Sequence, residues 1–239
     1  MFGMSVLHQR QRGQENLQLR QRCFAKSPSR IAATKILLGY SDVTNLILGI
    51  TQNCRMVVFH GPMVSSNMVD DFDEETAKSF FEAVQAEGSY SYSEPKDMPL
   101  EVLRTGEATG VLTGGNLSLL SASIGTPYEL DTKGKILFIE EVGEPMSKIE
   151  KWMMHLRNAG KLQACAGVLF GQFTEITNKE CPQYDAVRYI METGILDGLD
   201  IPIVSNVQSG HGAPMITLPM GAVCTINTKK PLIFFKVER

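Results

Sequence analysis

The sequence has 239 residues, 43% of them hydrophobic, and a formal charge of −3. That length supports a sizeable core in one large or two smaller domains of a soluble globular protein. No apolar run is long enough to span a bilayer, and no charged-then-apolar-then-small start marks a secretory signal. The five cysteines, Cys23, Cys54, Cys165, Cys181 and Cys224, are odd in number, scattered and never in a C-x-x-C pair. They indicate neither a disulfide framework nor a zinc site, and they fit a reducing, cytoplasmic compartment with no metal or other cofactor and no membrane partner.

Residues 1–30 carry six basic residues against one acid, a net of +5, so with −3 overall the rest of the chain carries −8. A nucleic-acid partner for the folded part is therefore not expected. The glutamine-rich start, residues 1–34, reads as a disordered basic tail. Lys35 to Gly39 is then an apolar strand, and residues 42–54 have helical spacing with Leu46, Ile47 and Ile50 on one side. Ser41 falls at that strand-to-helix turn. A serine there serves either as the cap of the helix or as a nucleophile lifted out of the sheet edge.

Residues 55–60 form a second strand, ended by Gly61-Pro62, with His60 as a structural histidine at the strand end. Residues 73–86 form a helix with Phe80, Phe81 and Val84 as its buried stripe, and residues 88–99 are a polar linker. Residues 110–117 read as a strand, the Gly114-Gly115 pair and a helix start at Asn116, where close backbone approach to an anion or carbonyl is possible. Residues 134–142 are the clearest buried strand, ending in Glu140-Glu141, and spacing does not decide between these two acids. A helix over 145–159, a strand at 168–170, a helix over 185–195 and a strand over 201–205 follow. Gln208-Ser209-Gly210-His211-Gly212 then sets a histidine between glycines with little shielding, and residues 222–237 form a terminal hairpin.

Ser41, Glu140 and His211 each fall just after a strand-like run, in an order compatible with a hydrolytic triad. Their surroundings are Gly-Tyr-Ser-Asp-Val-Thr, His-Gly-Pro-Met, Leu-Thr-Gly-Gly-Asn-Leu, Gly-Thr-Pro-Tyr-Glu, Ile-Leu-Phe-Ile-Glu-Glu-Val and Gly-His-Gly-Ala-Pro with Leu-Pro-Met-Gly. From about Lys35 onward this set resembles the LD-carboxypeptidase family of serine peptidases, which includes the microcin C immunity hydrolases.

The resemblance implies an α/β fold. A nucleotide-binding-like α/β domain, here a remnant at residues 35–99, carries the serine, and a β-rich α/β domain at residues 100–239 carries the acid and the histidine. It implies Ser41 as nucleophile, His211 as general base and acid, and Glu140 as the carboxylate that orients the imidazole. The Asp42 amide is the implied oxyanion donor, with Gly114, Gly115 and Asn116 as further oxyanion or substrate contacts.

The implied reaction is cleavage of an L,D-peptide bond in a murein tetrapeptide, or alternatively of an aminoacyl-nucleotide conjugate, by a chain that dimerises with itself. The resemblance also implies opening strands and an Arg-Gly-Gly turn beside the nucleophile, and neither precedes Ser41. The expectation is a mispredicted start or a natural fragment, with an apolar sheet edge. Its site is impaired, or it is a remnant that only binds peptides.

Overall fold

The computed structural model describes residues 36–70, 72–177, 185–229 and 232–237. The expected tail at residues 1–34 lies outside the described residues. Strand β1 (Leu38–Gly39), helix α1 (Thr44–Cys54) and strand β2 (Val58–His60) form a β-α-β unit with parallel strands. Between β1 and α1 lies a 3₁₀ turn, Ser41–Val43. Helices α2 (Asn67–Asp70) and α3 (Glu74–Gln85) follow, then strands β3 (Gly88–Ser91), β4 (Glu101–Arg104) and β5 (Glu107–Asn116).

Helix α4 (Leu117–Ser123), strand β6 (Ile136–Val142), helices α5 (Met146–Asn158) and α6 (Lys161–Ala164), strand β7 (Gly167–Thr174), helix α7 (Ala186–Glu192) and strand β8 (Ile203–Ser205) continue the alternation. Strands β9 (Leu218–Met220), β10 (Val223–Asn227) and β11 (Leu232–Val237) close the described chain, the last two as the expected hairpin.

The strands make two sheets, one in the order β1-β2-β9 and one in the order β3-β11-β10-β5-β6-β7-β8-β4. In the larger sheet β5 to β8 run parallel, because a helix crosses over after each of the first three. Both faces of β6 are covered. Leu137 and Ile139 pack with Leu120, Ile149, Met153, Leu156 and Ile190 of the helices, whereas Ile136 and Phe138 pack with Ile47, Val58, Leu218 and Met220 from the smaller sheet and α1. Alternate side chains of one strand thus enter two different cores.

Two expectations need correction. The polar segment at 88–99 is not a free connection, since β3 pairs with β11 and Tyr92 is buried. Nor does the boundary at 99/100 separate the sheets, because β9 returns to pair with β2. The second correction concerns α3, which buries Thr76, Ser79 and Ala83 while Phe81 is exposed. The physical reason is polar: the Thr76 and Ser79 hydroxyls accept the buried amides of Met215 and Thr217.

Asp73 caps the same helix by accepting the Thr76 amide. Replacing Thr76 by the near-isosteric valine should therefore cost about 1–3 kcal/mol, since it leaves the Met215 amide unpaired in the interior. Phe81→Ala should fall within about 0.5 kcal/mol of the parent. Urea unfolding midpoints of the two variants check this, and a reversed order would restore the phenylalanine stripe.

Candidate active site

Ser41 has φ 56°, the left-handed region, directly after a residue in extended conformation. A side chain there is strained, and such strain in a strand–turn–helix junction is the geometry that projects a serine hydroxyl from the sheet edge. The capping role is not the one found, because the residue preceding α1 is Val43 and no side chain caps it. The turn uses the amides of Val43 and Thr44, which donate to the carbonyls of Tyr40 and Ser41. The Asp42 amide lies outside both bonds.

Glu140 lies on the face of β6 that carries Ile136 and Phe138, and its carboxylate is fully buried. His211 Nδ1 meets Glu140 Oε2 at 2.7 Å. Because Nδ1 is engaged, Nε2 is the nitrogen left to exchange a proton. Burial alone would push the Glu140 carboxyl up, but the hydrogen bond to His211 and the nearby imidazoles of His60 and His211 more than offset it and hold the group below the ordinary carboxylate range.

Glu141 points the other way. Its Oε1 accepts from Asn116 Nδ2 at 2.7 Å, and its Oε2 accepts the Ser118 amide at 2.8 Å, so it anchors the start of α4. Burial raises its carboxyl, and these hydrogen bonds offset that only in part. Which of two adjacent acids meets the histidine is thus a matter of strand parity.

His211 is not an open loop histidine, since its side chain is only 14% exposed. The Tyr40 ring lies edge-on to it at 4.7 Å between centroids, and this contact sets the residue before Ser41 against the imidazole. Among the described residues no hydrogen bond joins Ser41 to His211.

The loop holding His211 is tied down at several points. The Gln208 amide donates to the Tyr92 hydroxyl at 2.8 Å, the Gln172 amide to the Ser209 carbonyl, and the Gly212 amide to Gln172 Oε1. Gly210 is needed for this approach: a Cβ there would lie 3.0 Å from Gln172 Cβ and 3.3 Å from Glu140 Oε2. Tyr92, Gln172 and Ser209 were not singled out by the sequence, because nothing in a polar tyrosine segment or a strand glutamine announces a loop anchored elsewhere.

The other expected contacts are accounted for by packing and capping. A Cβ on Gly114 would lie 1.9 Å from the Phe138 carbonyl oxygen, and one on Gly115 would lie 2.6 Å from Thr44 Oγ1. The glycines let β5 press against β6 and against the start of α1, where the Asn116 amide donates to Thr44 Oγ1. The Asn116 side chain caps α4. A small recess beside His211 is lined by Asn67, Thr76, Gly212, Ala213 and Met215. Among the described residues, no group of three or more His, Cys, Asp or Glu side chains is placed to hold a metal ion.

Comparison with known proteins bears on this geometry. The chain is 38% identical over 195 residues to the "Probable murein peptide carboxypeptidase" of Bacillus subtilis (strain 168), covering 81% of this chain and 60% of that protein. It is 27% identical over 227 residues to the microcin C7 self-immunity protein MccF of Escherichia coli, covering 82% of this chain and 64% of that one. It therefore spans less than two thirds of the length of either relative.

Among solved structures, MccF in complex with glutamyl sulfamoyl guanosine superposes over 90% of this chain and 71% of its own with a TM-score of 0.79 at 22% identity, a likeness of fold. The muramoyltetrapeptide carboxypeptidase from Oxalobacter formigenes gives 0.71 at 27% identity over 86% of this chain and 69% of its own. The family model for the LD-carboxypeptidase C-terminal domain matches residues 109–226, and that for the N-terminal domain matches residues 20–61, beginning upstream of the Lys35 at which the motif likeness starts. A chain that carries both domain signatures in order on this mixed α/β fold belongs to the LD-carboxypeptidase family, peptidase family S66.

Proposed function

We propose that the chain is a serine-type LD-carboxypeptidase acting on a murein tetrapeptide-like substrate through Ser41, His211 and Glu140. The observation that carries this reading is the strained left-handed backbone of Ser41, directly after a Tyr40 ring that packs on an imidazole held at Nδ1 by a buried carboxylate. Ser41 Oγ attacks the carbonyl carbon of the bond to the terminal D-residue, and its proton passes to His211 Nε2. The oxyanion forms in front of the Asp42 amide. As the C–N bond breaks, His211 returns the proton to the leaving amine. Water, deprotonated by the same nitrogen, then attacks the serine ester, and as the ester C–O bond breaks His211 returns that proton to Ser41 Oγ and the shortened peptide leaves. Glu140 keeps the imidazole in the tautomer this sequence requires and stabilises its charged form. The recess at Asn67, Thr76 and Met215 adjoins His211 and is open to part of the substrate's peptide chain.

Release of D-alanine from an L,D-tetrapeptide by the purified chain tests the reading. Ser41→Ala should lower kcat by about 10⁴-fold or more, and EDTA should leave the rate unchanged. Loss of activity in EDTA restored by zinc, or full activity of Ser41→Ala, would overturn the assignment. Cleavage of an aminoacyl sulfamoyl nucleotide in place of the tetrapeptide would change the substrate class and keep the nucleophile.

The two acids should separate cleanly. Glu140→Gln should lower kcat about 10²- to 10⁴-fold with little change in KM, because the imidazole loses its orienting charge. Glu141→Gln should keep most of kcat and lower stability by about 1–3 kcal/mol through the Asn116 and Ser118 hydrogen bonds. Equal losses of kcat in both variants would count against the assignment of roles by strand parity.

A further inference from the structure

The end of β2 places a second histidine on the same carboxylate. His60 is fully buried; its Nδ1 meets Ser209 Oγ at 3.0 Å, and its ring packs edge-on to Phe138 at 5.0 Å. Its Nε2 lies 3.9 Å from Glu140 Oε1. Neither of these two atoms has a hydrogen-bond partner among the described residues. A buried carboxylate oxygen and a buried ring nitrogen without partners are each unfavourable, and these two are near neighbours. With Ser209 donating to Nδ1, the proton of a neutral His60 resides on Nε2 and faces Oε1. A protonated ring presents the same N–H.

We infer that His60 is a positioning residue for Glu140: it engages Oε1 while His211 holds Oε2, so that the carboxylate stays ionised and fixed on the His211 imidazole. This rests on reading Glu140 and His211 as the acid–base pair of the hydrolase.

The charges around Glu140 are few. β2 contributes His60, the loop after β8 contributes His211, and its own strand contributes Glu141, turned to the opposite face. The strands on either side offer neutral groups, Asn116 on β5 and Gly171 and Gln172 on β7. The Tyr40 ring touches both histidines, at 4.7 Å from His211 and 6.2 Å from His60. With two cations at most against one buried carboxylate, removing His60 leaves His211 alone to offset the burial. The carboxylate then takes up a proton at higher pH.

The experiment follows the Nδ1 proton of His211 by NMR in the full chain as pH is lowered, together with kcat and KM for the tetrapeptide, in the parent, His60→Leu, His60→Gln and Ser209→Ala. In His60→Leu the downfield proton should be lost about one pH unit higher than in the parent, and kcat should fall about tenfold with KM changed less than twofold. His60→Gln, which keeps an N–H donor, should recover most of both. Ser209→Ala, which keeps the ring and frees it, should move the proton signal the same way by less, and it decides the matter should His60→Leu fail to fold.

A folded His60→Leu whose His211 proton titrates as in the parent overturns the inference. So does equal loss of kcat in the leucine and glutamine variants without any change in that titration, since that is the mark of a packing role alone. The NMR reading needs no turnover. A parent chain that leaves the tetrapeptide intact would therefore refute the proposed substrate while the role of His60 is still decided.

Discussion

The arrangement depends on one costly act, the burial of the Glu140 carboxylate at the end of a strand whose neighbours on the same face are Ile136 and Phe138. A lone carboxylate in such a place would simply neutralise. It is kept ionised by imidazoles arriving from two remote parts of the chain, the end of β2 and the loop after β8. Each of those parts must be held in turn: Tyr92 and Gln172 hydrogen-bond to the loop, and the Ser209 hydroxyl pairs with His60. The polar network is a consequence of the charge at its centre.

The same charge explains the division of labour at the Glu140-Glu141 step. A strand covered on both faces sends neighbouring side chains into different cores, and here one acid enters the core between the sheets while the other meets the first turn of α4. One β-strand thus supplies a partner for the His211 imidazole and an anchor for α4 without competition between them. The glycines of β5 serve this by letting the strands and the start of α1 approach to backbone distance.

Much of this was legible in the sequence. The apolar runs within 134–142 and 168–170 and the Met146, Ile149, Trp152, Met153, Leu156 stripe are strong period signals, and they fall in β6, β7 and α5. Of the three residues expected just after strands, Ser41 follows β1, Glu140 lies within β6 and His211 stands in the loop after β8. What the sequence hid has physical causes. Burial on both faces erases the alternation that would tell Glu140 from Glu141. Strand β9 contains Pro219, which argues against a strand in most settings, and it is tolerated here at a sheet edge. Short β3 and β4 are edge strands with polar or charged sequences, so no hydrophobic run marks them. The inner face of α3 is polar because it answers backbone amides, and apolar periodicity has nothing to detect there.

The pairing of β2 with β9, with Val58 opposite Met220, bears on how the chain reaches its native state. β1, α1 and β2 are neighbours in sequence, yet among the described residues their sheet takes its third strand from near the far end of the chain. On a ribosome these first strands emerge long before their partner exists. They must wait with one edge of β2 unpaired while β5 to β8 and their helices are made. Contacts of such long sequence separation slow folding and lengthen the exposure of sticky intermediates. The serine turn, synthesised before Glu140 and His211, is thus among the last parts to acquire its final surroundings.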